Sequence, residues 1–212
     1  MFYWSQGLHS HRFITRNIQI LGDATIVDWK NFMRDLCGEY FIRHPVIIDG
    51  VNHVVEIDES AWTRRKYNRG RLVGTQWGFG GIDRDTRECF AVVVDRRDAA
   101  TLMPIIHEFI LPGTTIYSDQ WPAYNGLANG RNGPDRYTHD TVNHSYNFVN
   151  PNTLVHTQNI ENMWMVAKMR KKEQMGQRRS LLPTHLAEFM WRRRFSERLF
   201  KTSSELFKKY IH

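Results

Sequence analysis

Five carboxylates occur in three short contexts that suit phosphate chemistry: Glu56, Asp58 and Glu59 in "VVEIDES", Asp119 in "TTIYSDQW", and Glu161 in "NIENMW". An acid placed directly after the apolar run "VVEI" is costly to bury without a partner. Three carboxylates brought together repel one another unless cations lie between them. Magnesium relieves that repulsion because it is a hard ion that favours carboxylate and water oxygens. Two such ions, about 3.5–4 Å apart, clamp the attacking and leaving oxygens of an in-line phosphoryl displacement. Asp58, Asp119 and Glu161 are therefore candidate metal ligands and catalytic acids. Each also has a plainer role: a solvent-facing strand end for Asp58, a turn for Asp119 and an exposed helical position for Glu161. Glu56 shares the strand parity of Asp58, and reads as part of a surface pair in preference to a further ligand.

These acids need elements to hold them. "HVVEIDES", "RLVGTQWGFGGID" and "ECFAVVVDRR" read as three consecutive strands, with "RRKYNRGR" and "DRDT" as their turns. "DAATLMPIIHEFIL" carries Leu102, Ile105, Ile106 and Phe109 at helical spacing. A short strand "TTIYSDQW" follows, then a short helix over 122–127, a Gly- and Asn-rich loop, and a less regular fifth strand in "YTHDTVNHSYNFV". "TQNIENMWMVAKMRKKEQM" is a helix with Ile160, Met163, Trp164 and Ala167 on one face, and "LPTHLAEFMWRRRFSERLF" a last one. Ahead of them all, residues 22–42 place Ile26, Trp29, Met33, Leu36 and Tyr40 at spacings of three and four, an amphipathic helix with Asp23 as its cap. The order predicts an α/β fold, a ribonuclease H-like mixed five-stranded sheet flanked by helices. In that order the first and fourth strands are neighbours, so Asp58 and Asp119 meet at one edge. Glu161 sits one position round from the apolar stripe of its helix.

With 212 residues, 41% of them hydrophobic, the chain supports one main core. A helical segment over 1–45 and a catalytic domain over 46–212 are the expected division. No apolar run approaches the ~18 residues of a membrane span, and no signal-peptide pattern opens the chain. Cys37 and Cys89 read as small buried hydrophobes. The net charge of +7 is uneven: from residue 151 onward the chain holds 13 of its 29 basic residues and 5 of its 22 acidic ones. Such a local excess attracts polyanions, nucleic acid first. Trp62, Trp77 and Trp121 read as packing residues, "GFGG" at 78–81 as a crowded strand, and His139, His144 and His156 as hydrogen-bonding groups.

"VEIDES", "KYNRGR", "QWGFGGID", "LPGTTIYSDQWPAY", "YTHDTVNHSYNFVNP", "HTQNIENMW" and "EFMWRRRF" together resemble the transposase domain of the Merlin and ISXO-like insertion-sequence family, from about residue 20 to 200. The resemblance implies a DDE-type transposase whose catalytic triad is Asp58, Asp119 and Glu161. It implies metal-dependent DNA strand cleavage and strand transfer with two Mg2+ ions, for which Mn2+ substitutes, and a homo-oligomer assembled on DNA. DNA contacts are then expected from Arg64, Arg65, Lys66, Arg69 and Arg71 beside Asp58, and from Lys168, Lys171 and Lys172 after Glu161. "VNHS" makes His144 an outside candidate for the active site. The nucleus of a eukaryote or the cytoplasm and nucleoid of a bacterium is the matching location.

Family members usually carry an N-terminal zinc ribbon and a helix-turn-helix. This sequence has no Cys cluster, and the helix around 23–42 reads as a helix-turn-helix remnant. Two other readings are thus kept: a transposase-derived DNA-binding protein without turnover, and a ribonuclease H-like nuclease that cleaves but never joins strands.

Overall fold

Alternation along "VVEIDESAW" sends Val55 and Ile57 to one face of an extended chain and Glu56, Asp58 and Ser60 to the other. In the computed structural model, which describes residues 2–8, 10–18, 22–48, 50–63, 74–128, 137–143, 149–151, 153–173, 177–196 and 198–211, that stretch is the central strand β1 (Val54–Thr63). It is flanked by β2 (Gln76–Asp83), β3 (Cys89–Val94), β4 (Thr115–Ser118) and β5 (Thr138–Thr141) in the order β3-β2-β1-β4-β5. The β1–β2 and β2–β3 pairs are antiparallel, and the β1–β4 and β4–β5 pairs are parallel. This order with these directions is the ribonuclease H-like sheet that the element order predicts.

The parallel crossover from β3 to β4 is made by α4 (Ala99–Phe109), capped by Asp98, whose carboxylate accepts from the Thr101 amide at 2.9 Å. Leu102 and Ile106 of α4 are fully buried, and Phe109 stacks on Phe90 at 4.6 Å. A 3-10 turn at Pro122–Tyr124 and the short α5 (Asn125–Ala128) follow β4. Near α4 and this turn lies the Phe79–Tyr124 pair, with ring centres 6.4 Å apart. The other face of β1 and β2 is covered by α6 (Gln158–Glu173), which buries Ile160, Met163, Trp164 and Ala167.

Two of the three glycines of "GFGG", Gly78 and Gly80, are there for α6, whereas a Cβ on Gly81 would meet the Phe90 ring. A Cβ on Gly78 would lie 3.1 Å from the Trp164 ring, and one on Gly80 would lie 2.7 Å from the Phe90 carbonyl oxygen and 3.0 Å from the same indole. Crowding against the aromatic face of α6 therefore explains Gly78 and Gly80, and crowding against Phe90 explains Gly81. Gly80→Ala is expected to cost about 1–3 kcal/mol through overpacking, read as a lower midpoint in urea denaturation.

By compactness the chain divides into Val46–Leu182, which holds the sheet, and Met1–Pro45 together with Pro183–His212. Residues 183–212, grouped with the sheet from sequence, belong by this measure with the N-terminal helices. That second unit contains α1 (Phe2–Ser5), α2 (His11–Ile18), α3 (Asp23–Arg43), most of α7 (Leu182–Arg194) and α8 (Leu199–Ile211). Its core is Trp4, Met33, Leu36, Cys37, Ala187 and Trp191. Arg192 is buried there; it pairs with Glu188 at 2.7 Å and donates to the Trp4 carbonyl at 2.7 Å. "WRRRF" is thus a packed helix end.

Three expectations need correction. Gly22 occupies the cap position of α3, and Asp23 is its first helical residue. The last helix breaks after Arg194, where a turn carries an Arg198 amide to Phe195 carbonyl bond of 2.9 Å, and the tail beyond is α8. Trp29, assigned to the apolar stripe of α3, is 45% exposed and stacks on Phe207. Both cysteines are buried, and neither is in a disulfide. Among the described residues no helix is long and apolar enough to cross a membrane.

Candidate active site

The parallel ladder between β1 and β4 pairs Val54 with Thr115, Val55 with Ile116 and Glu56 with Tyr117. Carried two residues further, the same register sets Asp58 beside Asp119. β4 stops at Ser118, whereas β1 runs on to Thr63 because β2 pairs with it on the antiparallel side. Asp58 therefore lies within a strand and not at its end, at the point where the parallel pairing runs out. Asp119 begins a turn: its Oδ1 accepts from the Trp121 amide at 2.9 Å. The Ser118 hydroxyl donates to the Asp119 carbonyl at 2.7 Å and lies 2.8 Å from His139 Nε2. Its single proton is committed to the carbonyl, so the imidazole is the donor in that second contact.

Glu161 is brought to the same region by Glu56. The Glu56 side chain is fully buried, contrary to the surface pair expected of it. Its oxygens accept from the Asn159 amide at 2.8 Å, the Ile160 amide at 3.0 Å and Asn159 Nδ2 at 2.7 Å. These are first-turn donors of α6 that have no partner inside the helix, and a carboxylate there also meets the positive end of the helix dipole. Arg84 Nε at 3.5 Å and His156 Nδ1 at 3.6 Å complete the surroundings, and Arg84 contacts His156 at 2.6 Å. A strand carboxylate thus pins the helix start, and Glu161 follows the pinned Ile160 by one residue. Glu161 itself is exposed, with Thr157 Oγ1 3.4 Å from its Oε1.

The electrostatics of the edge are those of crowded acids. Burial pushes the Asp58 carboxyl well above the usual range, and the charges of Glu59, Asp119 and, least, Glu161 add to it against a hydrogen bond from the Glu59 amide. Glu59, on the opposite face of β1, is also raised, by burial first; Tyr124, which donates to its Oε1, and Arg97 hold it down. Among the described residues no three His, Cys, Asp or Glu side chains stand at metal-holding spacing. The donor chemistry suits a hard divalent cation, because two adjacent carboxylates, one of them driven toward protonation, gain most from a positive charge. The geometry is that of Asp58 and Asp119 at one register level, with Glu161 within electrostatic reach of Asp58.

A raised folded-state carboxyl pKa means that the folded protein holds the extra proton. The stability this confers is present below the ordinary Asp value of 3.8 and is lost as pH rises through the raised pKa. Without metal, Asp58→Asn is therefore expected to melt at a higher temperature than the unaltered chain at neutral pH, with the gap closing toward acid. Melting curves in chelator across pH read this directly.

A family model for the ISXO2-like transposase domain matches residues 50–194, more than half of the chain. The chain belongs to the ISXO2-like transposase family. An uncharacterized transposase-like protein of Haemophilus influenzae is 30% identical over 108 residues, which is 51% of this chain and 82% of that protein. Solved structures with a similar course include the HTLV-2 integrase catalytic core domain in complex with magnesium, at TM-score 0.40 and 10% identity over 68% of this chain and 85% of that one. The BIV integrase catalytic core gives 0.42 and 12%, over 76% and 99%. A chain of the simian T-cell lymphotropic virus intasome gives 0.42 and 15% over 68% of this chain; the match spans 48%, about half, of that chain's length.

In this ISXO2-like transposase chain, Arg64, Arg65, Lys66, Arg69, Arg71 and His144 lie outside the described residues. Of the helical lysines, Lys168 Nζ donates to Ser60 Oγ at 2.6 Å and Lys171 Nζ to the Trp62 carbonyl, so both lean onto β1. Lys172 is exposed. Burial lowers the Lys171 pKa. His139 and His156 hydrogen-bond beside the acids, as their sequence positions suggest. Sequence reading missed the role of Glu56, the Glu59–Tyr124 contact, and the approach of Arg97 to Trp77 and Trp121. Parity flagged Glu56; its partners Asn159 and Ile160, 103 and 104 residues away, carried no local signal.

Proposed function

We propose that this transposase-family chain is a DDE-type polynucleotidyl transferase that cleaves DNA and joins strands, with Asp58, Asp119 and Glu161 as the metal-holding carboxylates. The observation that carries this reading is the β1–β4 register, which sets Asp58 beside Asp119 where the parallel strands end. Divalent ions bound there would supply Lewis-acid activation of the attacking oxygen and charge neutralisation at the leaving one. The chain's own part is positional. Asp58 and Asp119 fix one side of the site from the rigid sheet, and Glu161 closes it from α6, whose start Glu56 anchors. Polynucleotide transfer needs in-line geometry and charge stabilisation more than a protein nucleophile. DNA is the proposed partner, held through Lys172, the Arg64–Arg71 segment and the lysines of α6, with a homo-oligomer as the working form. Kinship to Merlin elements, and descent of the N-terminal helices from a helix-turn-helix, belong to the same proposal.

One observation favours a second reading: the three acids do not stand at ligand spacing. A DNA-binding protein without turnover would have no need to close them. Strand joining separates the readings. Protein is incubated with Mn2+, a supercoiled plasmid and a labelled oligonucleotide bearing a free 3′ hydroxyl. Label joined to plasmid is the expected result; nicking without joining would indicate a nuclease, and binding with neither would indicate a protein without turnover.

A further inference from the structure

At the edge that carries the acids, a second group of side chains has no part in holding metal. Trp77 is the second residue of β2, Arg97 follows β3 and Trp121 follows β4, and the pairing directions bring all three to the end of the sheet where β1 and β4 part. Arg97 Cζ lies 3.8 Å from the centre of the Trp77 ring and 4.6 Å from that of Trp121. The Trp121 indole N–H donates to the Arg97 carbonyl at 2.8 Å, while its backbone amide donates to Asp119 Oδ1 at 2.9 Å. Trp121 is thus tied through its backbone amide to a candidate ligand carboxylate and through its indole N–H to the backbone of Arg97, and it is still 36% exposed.

Packing alone does not account for this arrangement. A guanidinium carries five N–H donors in its plane, and stacking on indoles uses none of them. Among the described residues the Arg97 guanidinium has no hydrogen-bond acceptor and no ion pair; its charge reaches Glu59 only through space. A planar fork of unspent donors fits a phosphate, and an exposed indole held rigid beside it fits a nucleobase. Together these are the two halves of a nucleotide.

Building on the phosphoryl-transfer reading, we propose that Trp77, Arg97 and Trp121 form a nucleotide site that holds an unpaired nucleotide next to the phosphodiester at the carboxylates. Arg97 donates to the phosphate of that nucleotide, Trp121 stacks on its base, and Trp77 backs the guanidinium. Because every base has a π face, the site tolerates sequence but requires a base free of its own stack. The preferred substrate is therefore a strand that is frayed or nicked at the reacting position.

The test uses the full chain with calcium in place of magnesium and a nicked duplex carrying a fluorescent purine analogue at an unpaired position beside the nick. Wild type is expected to quench the analogue. Trp121→Ala should lose the quenching and bind this DNA about 5- to 100-fold more weakly, while binding intact duplex as before, and Trp121→Phe should keep most of both. Arg97→Gln should lower the salt dependence of binding by roughly one phosphate contact. Quenching by Trp121→Ala equal to wild type, together with an unchanged salt slope for Arg97→Gln, would overturn the proposal. If Trp121→Ala fails to fold, Arg97→Gln decides the matter alone, an unchanged salt slope overturning the proposal. The two levels separate cleanly. Metal-dependent cleavage with quenching indifferent to Trp121 removes the nucleotide site and leaves the enzyme; Trp121-dependent quenching in a protein that never cleaves removes the enzyme and leaves the site.

Discussion

Asp58→Asn is expected to abolish metal-dependent nicking of supercoiled plasmid while leaving DNA binding in place. Asp58 is the acid most strongly perturbed toward protonation at this edge, by burial and then by Glu59 and Asp119. An amide there keeps the shape but removes the charge that would draw a cation in. Metal stabilisation of the transition state is worth several kcal/mol, so loss of the ion should cost about a thousandfold or more in rate. Asp119→Asn should behave alike, since the register pairs the two strands at that level. Glu161→Gln should be milder, because Glu161 is exposed and lies at the outer limit of the cluster. Equal nicking by wild type and Asp58→Asn would remove the carboxylates from the mechanism.

The second large effect is expected at Glu56, which touches no substrate. Glu56→Ala would strand the Asn159 and Ile160 amides and leave Arg84 facing a cavity in place of an acid. Breaking a buried charged network from one side costs about 3–5 kcal/mol. In a protein of this size that corresponds to a melting temperature lower by roughly 6–20 °C. Glu56→Gln retains an acceptor oxygen for the helix amides and should recover part of the loss. Because Glu56 acts through Glu161, both variants should also raise the Mn2+ concentration needed for half-maximal nicking, which a purely structural residue would not do. Unchanged metal demand in a folded Glu56→Gln protein would confine Glu56 to stability.

The parts of this fold that were legible beforehand are those that local chemistry dictates. Strand-favouring runs between short turns marked β1 to β3, and the helical spacing of Leu102, Ile105, Ile106 and Phe109 marked α4. The apolar stripe Ile160–Met163–Trp164–Ala167 marked α6 and left Glu161 just beside it. The strand order then followed from the element order, and with it the meeting of Asp58 and Asp119. What stayed hidden depends on contacts distant in the chain. Nothing near Glu56 announces a helix end that lies about a hundred residues on. Gly80 reads as crowded, but only the fold supplies Trp164 as the cause. Trp77 and Trp121 read as packing residues until Arg97, at the end of a different strand, is placed against both. Trp29 shows the opposite failure, since helical spacing put it in a core that ends before reaching it.

The measurement that bears most directly on the account is uptake of Mn2+ by the metal-free protein, titrated by calorimetry for the unaltered chain and for Asp58→Asn. The account predicts saturable binding to the unaltered chain and loss of that binding in the variant. Binding of Mn2+ that is the same in the two proteins would contradict it.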